Sequence, residues 1–230
     1  MAQTLDTYAP EPAQRVALWE PIVVALRRAI ILGELPDGLH LEEPSLAEKF
    51  GVSRIPIREA LARLSQEGLI RLEPRRGAFV VGMGEDDVHE VYELRLLIET
   101  HAIRRAAETR NPAGIAALQV HADQMADAVR NNQLDGFAEP DVNFHRVIIT
   151  MANNRRLLAA WEPIGGLIAS ILSITDTTYR DMPRAVVSHQ AMIDMIRSGD
   201  ADAAALEIRA HLENGEAVMR EAMRTVRHRA

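Results

Sequence analysis

Residues 45–81 read SLAEKFGVSRIPIREALARLSQEGLIRLEPRRGAFVV, and the glycines and serines in this stretch decide the fold. Ser45 caps a short helical run that Gly51 breaks, because glycine enters the left-handed region without a Cβ penalty. Ser53 caps a second helix over 55–67, and Gly68 closes it. Inside that helix Ile57, Ala60, Leu61 and Leu64 recur at helical spacing, so they form one apolar face. Arg54, Arg58 and Arg63 are then left to face outward. Residues 69–73 alternate, Pro74-Arg75-Arg76-Gly77 is a turn, and 78–81 is a second short strand, which makes a two-stranded hairpin. Upstream, Leu18, Ile22, Val23, Leu26 and Ile30 predict a helix over 16–32 that ends at Gly33, before the turn Pro36-Asp37-Gly38. Three helices and a hairpin in this order are the plan of a winged helix-turn-helix.

Charge agrees with that plan locally and opposes it globally. The 230-residue chain has a net charge of −7. Between Lys49 and Arg76, however, seven basic residues stand against three acidic ones, while from residue 83 onward 16 basic residues face 22 acidic ones. A basic window on an acidic chain points to one anionic partner at one place. A helix bearing Arg54 at its start and Arg58 one turn on suits the major groove. Arg75, Arg76 and Gly77 lie at the hairpin tip, where a wing reaches the backbone or a neighbouring groove.

Beyond Gly84 every segment reads as helix, near 86–109, 113–131, 135–152, 155–179, 183–198 and 201–226, with breaks such as Asn111-Pro112 and Ser198-Gly199. The fold class is therefore mainly α. Residues 1–14 are a flexible tail, 15–82 a winged helix-turn-helix, and 86–226 an all-α bundle. Cysteine is absent, which removes disulfide scaffolds, zinc ribbons and thiol catalysis together. No apolar run approaches the roughly 20 residues of a membrane span, and the N-terminus lacks the basic and apolar regions of a signal peptide. The chain thus reads as cytoplasmic, with no membrane partner.

The residues themselves carry a resemblance. Ser45-Leu46-Ala47-Glu48, Gly51-Val52-Ser53-Arg54, Pro56-Ile57-Arg58-Glu59-Ala60-Leu61, Glu67-Gly68-Leu69-Ile70 and Arg75-Arg76-Gly77-Ala78-Phe79-Val80 closely resemble the DNA-binding domain of GntR-family transcription regulators. That resemblance implies binding of a double-stranded DNA operator as a homodimer. It carries DNA contacts over to Arg54, Arg58 and Gly77, with Ile55 and Pro56 at the start of the recognition helix. Two positions depart from the pattern. Pro44 stands where many members have arginine, and Ile55 replaces threonine, so a phosphate or base contact and a hydroxyl contact are lost.

Spacing alone does not choose a site among the eight histidines. Asp141–His145, Glu85–His89 and Glu207–His211 all set a carboxylate and an imidazole one helical turn apart. The resemblance does choose. Tyr92-Glu93-Leu94-Arg95, Asp141-Val142-Asn143-Phe144-His145, Ser188-His189-Gln190 and His211-Leu212 are similar to the FCD effector domain of FadR-type regulators, in its shorter, VanR-like six-helix form. It implies metal ligands at Asp141, His145, His189 and His211. One carboxylate and three imidazoles suit a divalent ion, Zn²⁺ or Ni²⁺ first and Mn²⁺ after them. It also implies a pocket for a small carboxylate effector, with Arg95 as its partner through bidentate hydrogen bonds; the competing reading of Arg95 is a surface ion pair with Glu99, one turn on. The function implied is a DNA-binding repressor switched by an organic acid. Two rivals stay open, a metal sensor without an organic effector and a metal-dependent hydrolase. The hydrolase lacks a His-Glu-x-x-His motif and an uncommitted general base.

Overall fold

A computed structural model describes residues 18–133, 136–174 and 182–229, with 226–229 described by their backbone alone. The expected tail at 1–14, and the expected helical residues at 135 and 175–179, lie outside the described residues. Helix α1, Trp19–Ile31, buries Ile22, Val23, Leu26 and Ile30. They meet the face of α3, Arg54–Gln66, that holds Ile57, Ala60, Leu61 and Leu64. Between them α2, Glu43–Phe50, ends at Gly51 with φ 66°, so the turn needs the residue that the sequence puts there. Ser45 is not the cap. Helix α2 starts two residues earlier with Glu42 at the cap position and Pro44 in its first turn, where a missing N–H costs nothing.

The wing has a third strand. Strands β2, Ile70–Glu73, and β3, Gly77–Val80, pair antiparallel as expected. A two-residue strand β1, His40–Leu41, adds to the other edge of β3, with His40 opposite Phe79, so the order is β1-β3-β2. Two residues are too few for alternation to register in sequence.

Six helices follow among the described residues: α4, Glu85–Thr109; α5, Pro112–Arg130; α6, Ala138–Met151; α7, Arg155–Ile174; α8, Met182–Ser198; and α9, Ala201–Arg229. Asn111 caps α5 by accepting the Ala113 N–H at 3.0 Å, and Pro112 occupies the first turn. Helices α4 and α9 pack along their length, and α6 lies against α4, α5 and α7. Contrary to the reading of the apolar runs, α7 is long and apolar enough to cross a membrane, with a mean hydropathy of 1.7. Its Trp161, Ile164, Leu167, Ile168 and Ile171 are buried in the shared core, and about a third of its apolar window is buried in all.

Helix α7 also holds the winged head. Arg27 of α1 donates through Nε and Nη2 to the two Glu67 carboxylate oxygens at 2.7 Å each, and through Nη1 to Ser170 Oγ at 3.2 Å. Gly166 lets this guanidinium approach, because a Cβ there would lie 3.0 Å from Arg27 Nη2. Arg63 donates to the Glu162 carbonyl at 3.3 Å. In the connection at 82–84, Met83 is buried.

Candidate functional site

The winged head presents part of the expected DNA face. Arg54 is exposed at the start of α3, and Ile55 beside it is 67% exposed. Arg58 is exposed but paired with Glu43 at 2.7 Å. Arg75 is exposed at φ 65°, and Arg76 pairs with Glu73 at 2.5 Å while lying 5.4 Å over the Phe79 ring. Gly77 has φ +102°, a backbone conformation that demands glycine, and a Cβ on it would sit 2.5 Å from His40 Nε2, so the exposed His40 ring would have to shift. Pro56 is buried with Ile57 and Ala60 in the helical core of the head. Arg63 is half-buried, 3.7 Å from Glu67 and bonded to the Glu162 carbonyl of α7.

In the helical region the four metal-ligand candidates converge. Asp141 and His145 share a face of α6 one turn apart, α8 contributes His189, and α9 contributes His211. One donor atom from each lies within 4.8 Å of every other. That spread approaches the span of ligands around one ion at about 2.1 Å each. The imidazole rings stand 4.6–5.4 Å apart between centroids. Asp141, His145 and His189 are buried, while His211 is half-buried and faces a cavity.

The tautomers follow from the partners. His189 Nδ1 lies 2.7 Å from the Ala185 carbonyl oxygen, which only accepts, so Nδ1 carries the proton. His145 Nδ1 lies 2.6 Å from Glu99 Oε2. Burial pushes the Glu99 carboxyl up, but Arg95 and His145 outweigh it and hold it well below the usual carboxylate range, so it also accepts. With Nδ1 engaged, Nε2 is the nitrogen each ring has left to offer. Both Nε2 atoms are buried without a hydrogen-bond partner. His189 Nε2 stands 3.3 Å from Asp141 Oδ1. Two buried imidazole nitrogens without partners beside a buried carboxylate are a donor set that suits a cation. Burial would raise the Asp141 carboxyl, yet the facing His189 ring and the His145 and His211 imidazoles hold it low. Burial, and then the neighbouring His189 and His145, push His211 well below the ordinary imidazole value. A neutral His211 ring and an ionised Asp141 are forms that bind a metal.

Glu99 was missed as a member of this site. It is fully buried and binds three groups: Arg95 Nε at 2.6 Å, His145, and Trp161 Nε1 at 3.2 Å. Its only sequence signal is the spacing to Arg95, which reads as a surface pair. The pair is instead buried, with Arg95 3% exposed and its guanidinium 5.0 Å over the Tyr92 ring. Burial pulls Arg95 down, but Glu99 more than offsets this and keeps it charged. Burial pushes the Tyr92 phenol up to about 12, so it stays neutral. Of the other spaced pairs, His89 bonds Glu216 at 2.7 Å rather than Glu85, and Glu207 accepts from Ser188 at 2.5 Å. A cavity of about 380 Å³ opens beside Asp141 and His211, with Arg95 and Tyr92 on its wall.

Comparison with known proteins agrees with both halves. The family described as "Bacterial regulatory proteins, gntR family" matches residues 18–80, and the FCD domain matches 90–214. A gluconate operon transcriptional repressor from Bacillus licheniformis is 31% identical over 208 residues, 88% of this chain and 85% of that protein. The transcriptional repressor RspR of Escherichia coli is 29% identical and covers 82% of each. Among solved structures, a GntR transcriptional regulator from Rhodococcus sp. RHA1 superposes with TM-score 0.66 at 23% identity, over 89% of this chain and 98% of that one. A metal-free FCD domain superposes with TM-score 0.52 at 21% identity, over 63% of this chain and 99% of that one. A winged head joined to an FCD domain is a DNA-binding regulator with a place for a small effector, not an enzyme. This chain belongs to the GntR family of bacterial transcriptional regulators, with an FCD effector domain of FadR-like architecture.

Proposed function

We propose that this regulator is a repressor whose operator affinity is set by a small organic acid held at a divalent metal ion. The carrying observation is the convergence of Asp141, His145, His189 and His211, with donor atoms within 4.8 Å of one another, the Nε2 atoms of His145 and His189 buried without a hydrogen-bond partner, and a cavity next to His211. Asp141, His145, His189 and His211 would hold the ion, Zn²⁺ or Ni²⁺ by the three imidazoles, or Mn²⁺. When bound, the ion supplies positive charge that attracts an acid's carboxylate. The remaining work falls to the chain. Glu99 and the Ala185 carbonyl orient two of the rings, as second partners of ligating histidines do. Arg95, its charge balanced by Glu99 at 2.6 Å, lies on the cavity wall. Repression as the sign of control is supported by the repressor names of the relatives.

Arg54, Ile55 and Arg58 of α3, with Arg75, Arg76 and Gly77 of the wing, form the operator face in this reading. Two heads in a homodimer would read a pseudo-palindromic site. The acid switches the protein only by preferring one head position over another. The contacts of Arg27 and Arg63 with α7 are where such a preference is felt, and 82–84 is the hinge. This target and this effector place the protein in the cytoplasm.

A thermal-shift screen of metal-analysed protein against small carboxylic acids, with and without chelator, tests the reading. A ligand that binds only the folded state raises the melting temperature. The expected result is a rise for one class of acids that chelator abolishes. Retained metal with no rise for any acid would favour a metal sensor. Unchanged metal content in Asp141→Ala and His189→Ala would refute the ligand set.

A further inference from the structure

The α7 turn Trp161-Glu162-Pro163-Ile164-Gly165-Gly166 touches both the surroundings of the metal-ligand set and the winged head. On one side it meets residues next to the ligands. Trp161 Nε1 donates to Glu99 Oε1 at 3.2 Å, and the other oxygen of that carboxylate lies 2.6 Å from His145 Nδ1. Arg146, which follows His145 on α6, donates to Glu162 Oε1 at 2.7 Å. Val142, which follows Asp141, lies 3.2 Å from the point a Cβ on Gly165 would take, and the Trp161 ring lies 2.6 Å from the same point. On the other side it meets two arginines of the head. Arg63 of α3 donates to the Glu162 carbonyl at 3.3 Å. Arg27 of α1 lies against Gly166 and donates to Ser170 Oγ at 3.2 Å. Glu162 is thus held by its side chain from α6 and by its carbonyl from α3.

The residues of this turn make it the soft part of α7. Pro163 has no N–H, so the Ala159 carbonyl one turn back loses its helical donor, and the proline ring crowds that carbonyl. Two adjacent glycines follow, the weakest helix formers after proline, whereas Leu157-Leu158-Ala159-Ala160 before the turn are among the strongest. Sharp helix bends occur almost always at a proline or at a pair of small residues. A short segment of this kind can take up a backbone change while the packed bodies on either side stay intact.

We infer that this turn is the joint through which occupation of the metal site moves the winged head, with Trp161 and Glu162 as its positioning residues. With His145 committed as a ligand, the Glu99 carboxylate that orients it is held in one place. Trp161 follows Glu99 through its Nε1–H, Glu162 follows Arg146, and the Glu162 carbonyl passes the displacement to Arg63. The inference rests on the metal reading above and adds the route from the ligands to the head; it does not depend on which acid binds.

The chain has no cysteine, so Leu72→Cys in the wing and Val187→Cys on α8, both at exposed positions, carry spin labels at two chosen points. Pulsed dipolar spectroscopy of labelled chain diluted with unlabelled chain reads the distance from head to bundle, in chelated and in zinc-loaded protein. Zinc affinity is measured beside it by chelator competition. In the labelled parent, zinc is expected to shift the distance distribution. Pro163→Ala restores the missing N–H and stiffens the turn; Trp161→Phe keeps an aromatic ring and removes the donor to Glu99. In both, zinc is expected to bind as in the parent while most of the shift is lost. An equal shift in the parent and both variants, or no shift in zinc-bound parent, overturns the inference and leaves the metal-ligand set standing. If Trp161→Phe fails to hold zinc, Pro163→Ala decides: a full shift there overturns the inference, and a lost shift with zinc bound supports it. If the parent binds no zinc, both readings fall.

Discussion

Glu99 carries more of the site than its position suggests. One buried carboxylate orients His145, neutralises Arg95 and accepts from Trp161. Replacing it with glutamine keeps the volume but removes the charge that fixes the His145 tautomer. Loss of such a second partner typically weakens a metal site by about 10–100-fold. Competition with a calibrated chelator should show that drop in Glu99→Gln. An unchanged metal affinity would mean that His145 is oriented without Glu99. Gly77 is a second residue whose reason is local. Alanine there meets His40 and must hold a positive φ, a strain of about 1–3 kcal/mol. A lower urea midpoint at unchanged slope is the expected reading.

At the level of elements, α3 serves two surfaces. Its N-terminal end exposes Arg54 and Ile55, while Arg63 two turns on reaches the Glu162 carbonyl of α7. The two arginines should therefore part company in a salt titration of operator binding. Arg54→Ala is expected to lower the slope of log affinity against log salt by about 1, as loss of one phosphate contact does. Arg63→Ala is expected to leave the slope unchanged and to alter how strongly an effector shifts affinity. Equal slope losses would put Arg63 on the DNA after all. Sequence reading placed Arg63 outward because helical periodicity reports which residues avoid the helix's own core. It does not report a second body docking on the outer face. The same limit hid Pro56, whose ring packs inward although its motif lies at the DNA-facing end, and β1, which is shorter than any period. What was legible was legible for a reason. Gly51 and the Ile57–Leu64 stripe are local conditions for a turn and a buried face, and both appear as expected.

Over the whole molecule, one core runs from the winged head through α7 into the helical bundle. The four candidate ligands come from α6, α8 and α9, up to 70 residues apart in sequence. No spacing rule links them; the family resemblance named them, and the fold brings them together. Removing the metal should lower the melting temperature of the whole chain, because the ligands tie three helices and the energy of binding is then part of folding. Chelator that leaves the transition unmoved would argue against a tightly held ion.

The most direct test is the operator affinity of the full chain, followed by fluorescence anisotropy, with metal-loaded and chelated protein, each with and without the acid chosen by thermal shift. The account predicts that acid weakens operator binding at least several-fold in metal-loaded protein and leaves chelated protein and Asp141→Ala unaffected. An identical response to acid with and without metal would contradict it.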